Sequence, residues 1–342
     1  MSTESKKVMW HLFRQLRERV PEFYSTAPVL AEDNKVKYLL PDPVYLGVEF
    51  EWEQTGSPWT QAHHNFPKLE NYWMVVQDGS LRGEDAFELK TTGGLPPHYV
   101  ETALDHMWSY SRKWSASRRT GIHVHLNVCD LTWRQFSNLV SLYALLEPAI
   151  YTAAGDERSA NPFSVPLYKD SFVSGRIALA LMNQNETVPY LQQINKYGGL
   201  NLACVMKYGT VEFRHLRTTH DQTKILNWIK MIQVLRRYAM LPSFEKEFSR
   251  HLERRTYRAL LEDVYQGKPW DALIYPELTE ELNWLGSDTA HEFFYVREAR
   301  KAATKQQKPK ERNITVNDVD NAWEIHQATL AGQDLQLRIT PR

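Results

Sequence analysis

Alternation of apolar and ionisable residues is the feature of this sequence that most restricts its fold. In the segment 48–53 (VEFEWE), every second residue is a glutamate and the residues between them are apolar. Successive side chains on a β-strand point to opposite faces. The segment therefore predicts a strand with one acidic face and one apolar face.

Three further segments repeat this pattern with other polar side chains. Segment 122–127 alternates His123, His125 and an amide with apolar residues, and segment 87–90 sets Glu88 between Phe87 and Leu89. Segment 210–214 sets Glu212 and Arg214 against Val211 and Phe213. An antiparallel sheet with one face on a hydrophobic core produces such alternation. We therefore expect these four segments to be strands of one antiparallel sheet.

Hydrophobic periodicity and turn residues predict the remaining elements. The predicted strands are 44–53, 72–77, 84–90, 121–128, 200–206 and 210–217, the last two forming a hairpin. The predicted helices are 5–20, 100–116, 132–154, 171–184, 221–240, 245–263, 290–303 and 315–331. A β-rich first part followed by a helical last part indicates the α+β class.

This order of elements divides the chain into three regions. Residues 1–43 hold an N-terminal helix and a connecting segment, and residues 44–220 hold the sheet. Residues 221–342 form a helical C-terminal region with a polar, basic linker at about 301–313. The two cysteines, Cys129 at the end of the predicted strand 121–128 and Cys204 within the predicted strand 200–206, are expected to be buried free thiols.

Composition argues against several classes of protein. Lysine plus arginine equals aspartate plus glutamate at 41 each, so no whole-molecule field steers the chain to nucleic acid or an acidic membrane. The basic segments 112–119 and 301–312 lack interleaved aromatic residues, which favours a solvated surface over nucleic-acid binding. The sequence contains no apolar run of 18 residues and no secretory h-region near residue 1. We expect a cytoplasmic protein that does not enter a membrane.

The acidic faces need a physical explanation, because glutamate is a poor strand former. Carboxylates two residues apart on one strand lie about 7 Å apart and repel one another. A face that is merely solvated is the simpler interpretation for any single strand, but such a face would use threonine, lysine or serine at lower cost. A divalent cation among the glutamates and the His-x-His pair explains the whole set. Oxygen ligands suit Mg²⁺, and an imidazole also allows Mn²⁺.

Five short motifs, in their order along the chain, resemble the amidoligase family of the glutamine synthetase and glutamate–cysteine ligase superfamily. They are 47–51 (GVEFE), 78–81 (DGSL), Glu88, 121–125 (GIHVH) and 209–214 (GTVEFR). The resemblance covers about 47–217. It implies a curved antiparallel sheet of glutamine synthetase-like type with helices packed on its outer face. It also implies an ATP- and Mg²⁺-dependent ligase that joins a carboxylate to an amine through an acyl phosphate.

Carried over to this sequence, the resemblance implies three groups of site residues. The implied metal ligands are Glu49, Glu51, Glu88, His123 and Glu212. Arg214, with Arg217 beside it, would stabilise the transferring phosphoryl group. The residues expected near nucleotide or substrate are Asp78, Ser80, His125, Arg158 and Asn201. Glu53 has no counterpart, and Lys90 follows Glu88 where relatives turn sooner.

Two other functions remain open at this stage. His-x-His on a strand also occurs in zinc and iron hydrolases, which would bind Zn²⁺ tightly. A scaffold that keeps the sheet without the chemistry is a third hypothesis, and a nucleotide-binding test separates it from the enzymes. For the ligase, the expected partners are ATP, a carboxylate and an amine, with peptides and proteins among the possible substrates.

Overall fold

A computed structural model of the chain describes residues 45–67, 69, 72–91, 94–95, 97–128, 131–182, 191, 194, 196–254, 257–265 and 290. Several predicted features lie outside these residues. They are the helices 5–20 and 315–331, the linker at 301–313, Cys129, and the helix 290–303 except for Ala290.

One antiparallel sheet organises the described part of the chain. Its strands are β1 (Leu46–Trp52), β2 (Trp73–Val76), β3 (Phe87–Thr91), β4 (Gly121–Asn127), β5 (Leu200–Asn201) and β6 (Thr210–Arg217). They lie in the order β2-β3-β1-β4-β6-β5, and every neighbouring pair is antiparallel. The sheet is open, with β2 and β5 at its edges.

Helices connect and cover these strands. They are α1 (Ala62–Asn65), α2 (Pro97–Ser111), α3 (Trp133–Ala154), α4 (Ser171–Met182), α5 (Ala203–Tyr208), α6 (Gln222–Ala239), α7 (Phe244–Arg254) and α8 (Tyr257–Tyr265). Short 3-10 helices occupy Trp59–Gln61, Asp156–Ala160 and Leu167–Lys169. No helix among the described residues is long and apolar enough to cross a membrane.

The apolar face of the sheet forms the core, as the alternation predicts. Its side chains are fully buried: Leu46, Val48, Phe50, Trp52, Phe87, Leu89, Ile122, Val124, Leu126, Val211, Phe213 and Leu216. Helix α3 contacts β6 and helix α6 contacts β4, and the two helices also contact each other. Each buried side chain of this size contributes about 1.5–3 kcal/mol to folding. This packing fixes the strands and leaves the opposite, polar face free to carry a site.

The predicted hairpin of 200–206 and 210–217 is wrong in its first half. Strand β5 is only Leu200–Asn201, and helix α5 follows it directly. The Oδ1 atom of Asn201 accepts a hydrogen bond from the Ala203 N–H (3.0 Å), which turns the chain out of the strand. Gly209 ends the helix in the left-handed region (φ 69°), where glycine is favoured. A short apolar run does not separate helix from strand by periodicity, which explains the error.

The chain therefore combines helices with an open antiparallel sheet, in agreement with the predicted mixed class. The glutamine synthetase-like type of the sheet remains a prediction.

Candidate functional site

The polar face of the sheet brings ionisable side chains from four strands together. The register pairs Glu49 with His123, Glu51 with Glu88, and His125 with Glu212. These residues lie on β1, β3, β4 and β6. Residues far apart in sequence thus become cross-strand neighbours on one face.

His123 lies at the centre of this cluster and is 3% exposed. Its Nδ1 atom is 3.3 Å from Glu49 Oε2 and 3.3 Å from Glu212 Oε1. Its Nε2 atom is 3.6 Å from Glu51 Oε1. One imidazole therefore contacts carboxylates from the two flanking strands.

A β-bulge in β6 sets the positions of Arg214 and Arg217. The register shifts between Ile122 and Val124, so that Arg214 and His215 together oppose His123. Arg214 donates from Nη1 to Glu212 Oε1 and from Nε to the carbonyl of Phe163 (3.1 Å). Beyond the bulge, Arg217 pairs with Gly121 and returns to the polar face. The extra residue lets both arginines share the face that carries Glu212.

Arg158 packs against this bulge and is 3% exposed. Its Nε donates to the carbonyl of His215 (2.7 Å) and its Nη2 to the carbonyl of Arg214 (3.0 Å), while Nη1 has no hydrogen-bond partner among the described residues. A Cβ atom on Gly121 would lie 3.2 Å from Nη2 of Arg158 and 3.0 Å from His123 Nε2. The glycine therefore gives Arg158 and His123 room to approach each other. Two of the three guanidinium nitrogens of Arg158 thus donate hydrogen bonds to backbone carbonyls. A role of Arg158 in binding substrate remains a prediction.

Asp78 and Ser80 lie in the turn between β2 and β3 and are half-buried. The Ser80 N–H donates to Asp78 Oδ1 (2.8 Å), and Arg119 donates from Nη2 to the Ser80 carbonyl (2.7 Å). The negative charge of Asp78 contributes to the raised pKa of Glu51, so this turn is close to the cluster. Asn201 contacts the cluster directly, since its Nδ2 atom donates a hydrogen bond to Glu212 Oε2 (2.6 Å).

Two residues that the sequence left undecided have clear contacts. The Nζ atom of Lys90 lies 2.9 Å from Glu49 Oε1 and 3.2 Å from Glu88 Oε1, where it screens their mutual repulsion. Glu53 instead accepts a hydrogen bond from the Arg82 N–H (3.0 Å), and its backbone pairs with Ser115. Glu53 therefore anchors the loop that follows Asp78 and Ser80.

The pKa values of the four glutamates divide into two pairs. Burial raises the pKa of Glu51 and, with the added charge of Glu49, raises that of Glu88 well above its usual range. Burial alone would also raise the pKa of Glu49 and that of Glu212. The positive charge of His125 nevertheless holds the pKa of Glu49 well below its usual range, and that of Arg214 lowers the pKa of Glu212. The described cations thus lower the pKa of two of the carboxylates, whereas the pKa of Glu51 and that of Glu88 stay above the usual range.

The chemistry of the cluster fits a divalent cation. One ligand atom from each of Glu49, Glu88 and His123 lies within 4.8 Å of the other two. Carboxylate oxygens suit Mg²⁺ and Mn²⁺, and a single imidazole is compatible with Mn²⁺. A cation here would add positive charge beside Glu51 and Glu88, whose pKa values burial raises.

The sequence did not identify Cys204 and Thr210 as neighbours of the site. Cys204 lies on helix α5 and donates from Sγ to Glu212 Oε2 (3.2 Å). Burial and the charge of Glu212 raise its pKa well above the usual range. Thr210 Oγ1 is 3.0 Å from His125 Nδ1. Alternation along β6 could have identified Thr210, which lies two residues from Glu212. The contact between Cys204 and Glu212 could not be predicted, because 200–206 was wrongly predicted to be a strand throughout.

The sequence of this chain also matches a known protein family. Residues 64–235, half of the chain, match the model of a family described as "Putative amidoligase enzyme". The chain belongs to the amidoligase family. This membership indicates an enzyme that forms amide bonds. The match contains the predicted site residues except Glu49 and Glu51, which precede it on β1. No curated protein matched the sequence.

Proposed function

We propose that this amidoligase-family protein is an ATP- and Mg²⁺-dependent ligase that joins a carboxylate to an amine through an acyl phosphate. The observation that carries the proposal is the convergence of Glu49, Glu88, His123 and Glu212 with Arg214 on one face of the sheet. Such a cluster supplies ligands for a cation and a fixed positive charge next to them.

The residues that would hold Mg²⁺ are Glu49, Glu51, Glu88, His123 and Glu212. When bound, the cation would neutralise the negative charge of the ATP phosphates. His123 keeps the carboxylates of β1 and β6 in place from its buried position between them. Asn201 holds Glu212 from the opposite side.

In this proposal Arg214 stabilises charge on the transferring phosphoryl group. Burial lowers the pKa of its guanidinium, but the charges of Glu212 and Glu51 more than reverse that effect, so Arg214 stays positive. Arg217 shares the same face beyond the bulge. Stabilisation by pre-positioned charges is the main requirement of phosphoryl transfer.

The proposed reaction needs no nucleophile from the protein. An oxygen of the substrate carboxylate attacks the γ-phosphorus, and the bond to ADP breaks. The amine nitrogen then attacks the acyl carbon, phosphate leaves and the amine loses a proton. The task of the chain is to position ATP, carboxylate and amine together and to exclude water.

The composition of the set formed by Glu49, Glu88 and His123 favours this ligase over a zinc hydrolase. This set has one imidazole and two carboxylates, whereas zinc hydrolases use imidazole or thiolate ligands more heavily. We also propose that residues 44–220 form the catalytic region and 221–342 a helical region, and that the protein acts in the cytoplasm. Its substrates would be ATP with a carboxylate and an amine, peptides and proteins included.

Glu49→Gln and Glu212→Gln test the proposal, because each removes a carboxylate charge while keeping the shape of the side chain. We expect ADP formation, measured across a panel of carboxylates and amines with Mg²⁺ and ATP, to fall by at least about 100-fold in both variants. Circular dichroism should show an unchanged fold.

Glu53→Gln is the matched control. Glu53 lies just beyond β1, and its carboxylate accepts a hydrogen bond from the Arg82 N–H instead of contacting the cluster. It should retain turnover near that of the unchanged protein. Full ADP formation by both Glu49→Gln and Glu212→Gln would refute the assignment.

A further inference from the structure

A second set of ligand atoms lies beside the first, on different elements. A ring nitrogen of His125, the Sγ atom of Cys204 and a carboxylate oxygen of Glu212 all lie within 4.8 Å of one another. They come from β4, α5 and β6, and all three residues are buried. This set contains a thiol and an imidazole, unlike the carboxylate-rich set around His123.

His125 is the buried imidazole of this set. It is 8% exposed, and its Nδ1 atom is held by Thr210 Oγ1 at 3.0 Å. Its Nε2 atom lies 3.3 Å from Glu49 Oε1 without the alignment of a hydrogen bond, and no other described group bonds to it. A Cβ on the facing Gly47 would lie 3.2 Å from His125 Cβ, so the glycine makes space for this ring. Among the described residues, Nε2 therefore has a charge contact with Glu49 but no hydrogen bond, and such an incompletely satisfied nitrogen is available to a ligand.

Asn201 fixes the other two members of the set. Its Nδ2 atom lies 2.6 Å from Glu212 Oε2 and 3.3 Å from Cys204 Sγ. In many metal sites, groups that donate hydrogen bonds to the ligand side chains in this way preserve the geometry of the site. Helix α5 is essential to the arrangement, because it carries Cys204 back toward β6.

We propose that His125, Cys204 and Glu212 form a binding site for a thiophilic divalent cation of the Zn²⁺ or Co²⁺ class. Thiolate, imidazole and carboxylate are the ligand types that Zn²⁺ prefers, and three protein ligands leave a fourth position open. Binding replaces the thiol proton of Cys204, which passes to solvent. Because Glu212 is also one of the proposed Mg²⁺ ligands, a soft cation at this site would compete with the Mg²⁺ of the proposed function for that carboxylate.

A comparable group on the helices α7 and α8 differs in a decisive way. Glu247, His251 and Asp263 also bring three ligand atoms within 4.8 Å. The Nη2 atom of Arg250 lies 2.8 Å from Glu247, 3.2 Å from His251 Nε2 and 3.5 Å from Asp263. The guanidinium of Arg250 already contacts all three side chains, so its positive charge takes the place of a bound cation.

Titration of the full-length protein with Co²⁺, without ATP or Mg²⁺, tests the proposal. A cobalt–thiolate bond gives a near-ultraviolet charge-transfer absorption, and added Zn²⁺ should remove it. We expect the absorption in the unchanged protein and in Cys129→Ser, and its loss in Cys204→Ser. Cys204→Ser should also weaken Zn²⁺ binding, measured by competition with a chelating dye, by more than about 10-fold.

Absence of the absorption from the unchanged protein would overturn the proposal, and so would its persistence in Cys204→Ser. Serine can keep the hydrogen bond to Glu212, and thermal unfolding of each variant reports whether the fold survives. The cobalt experiment contains no nucleotide, so its result does not depend on whether the ligase assignment is correct.

Discussion

At the scale of single residues, Glu147 shows how the core holds an ionisable group. It is 1% exposed on α3, behind the sheet. Its carboxylate accepts hydrogen bonds from the Tyr143 hydroxyl (2.6 Å) and from the N–H groups of Leu167 (2.9 Å) and Tyr168 (3.4 Å). Burial raises its pKa to about 7, and these hydrogen bonds limit the rise. Glu147 therefore titrates near neutral pH in the folded chain.

This pKa predicts a specific dependence of stability on pH. A carboxyl with a raised folded-state pKa stabilises the fold while protonated, so its contribution is complete below about pH 4.5 and is lost as pH rises through about 7. Glu147→Gln mimics the protonated acid and does not titrate. Relative to this variant, the unfolding free energy of the unchanged protein should fall by about 3 kcal/mol between pH 4.5 and pH 8.

Urea unfolding of both proteins at a series of pH values measures this difference. Exposed Glu84 provides the control, since Glu84→Gln should follow the unchanged protein at every pH. Parallel curves for Glu147→Gln and the unchanged protein would show that Glu147 does not titrate in this range.

Residue-level prediction from sequence worked where side-chain direction follows from strand geometry. Alternation along β1, β3, β4 and β6 placed Glu49, Glu88, His123 and Glu212 on the polar faces of their strands, and the register makes them neighbours. It could not give the ion pairs of Lys90 or the contact of Cys204 with Glu212. Those contacts depend on side-chain conformation and on a helix that the local pattern did not reveal.

At the scale of elements, the bulge in β6 shows what strict alternation misses. An unbroken period of two from Glu212 would place Leu216 on the polar face and Arg217 in the core. The extra residue reverses this, so that Leu216 is fully buried and Arg217 pairs with Gly121. The burial of two adjacent residues, His215 and Leu216, marks the change in the structure. His215 turns to the core and lies 2.8 Å from the Tyr143 hydroxyl.

Helix α3 offers an element-level prediction, because it spans the core behind β6. Thr132 accepts a hydrogen bond from the Gln135 N–H (3.2 Å), and Gln135 Oε1 accepts one from the Thr132 N–H (2.9 Å). This reciprocal capping box satisfies two backbone donors at the start of the helix. Thr132→Ala should lower the free energy of unfolding by about 1 kcal/mol. Urea unfolding at fixed pH measures the loss.

Thr132→Ser keeps the hydroxyl and should remain within a few tenths of a kcal/mol of the unchanged protein. Equal destabilisation by serine and alanine would mean that the methyl group of Thr132, rather than its hydrogen bond, supports the helix.

At the scale of the whole molecule, the sheet separates stability from chemistry. One face packs against α3 and α6, and the other carries buried carboxylates whose charges are incompletely balanced. The sequence predicted this two-faced design and the mixed class, because both follow from local periodicity. The order of the strands depends on contacts between distant segments, which no local pattern encodes. A site of this kind is expected to lower stability until a cation and its ligand bind.

Binding of Mg²⁺ and ATP together should therefore stabilise the whole fold. A ligand that binds only the folded state adds about 2.7 kcal/mol when its concentration is 100 times its dissociation constant. For a chain of this size the melting temperature should rise by about 3–4 °C. Thermal unfolding is measured with Mg²⁺ alone, ATP alone, both, and both with excess EDTA.

The full rise should need both components, should disappear with EDTA or in Glu49→Gln, and should survive in Glu53→Gln. A rise with ATP that EDTA and Glu49→Gln leave unchanged would place the nucleotide away from the carboxylate cluster. No rise under any condition would favour a scaffold that keeps the sheet without binding nucleotide. The reason lies in the charges: Glu49, Glu51, Glu88 and Glu212 share one face of the sheet, and a cation between them and the triphosphate would reduce their repulsion of its negative charge.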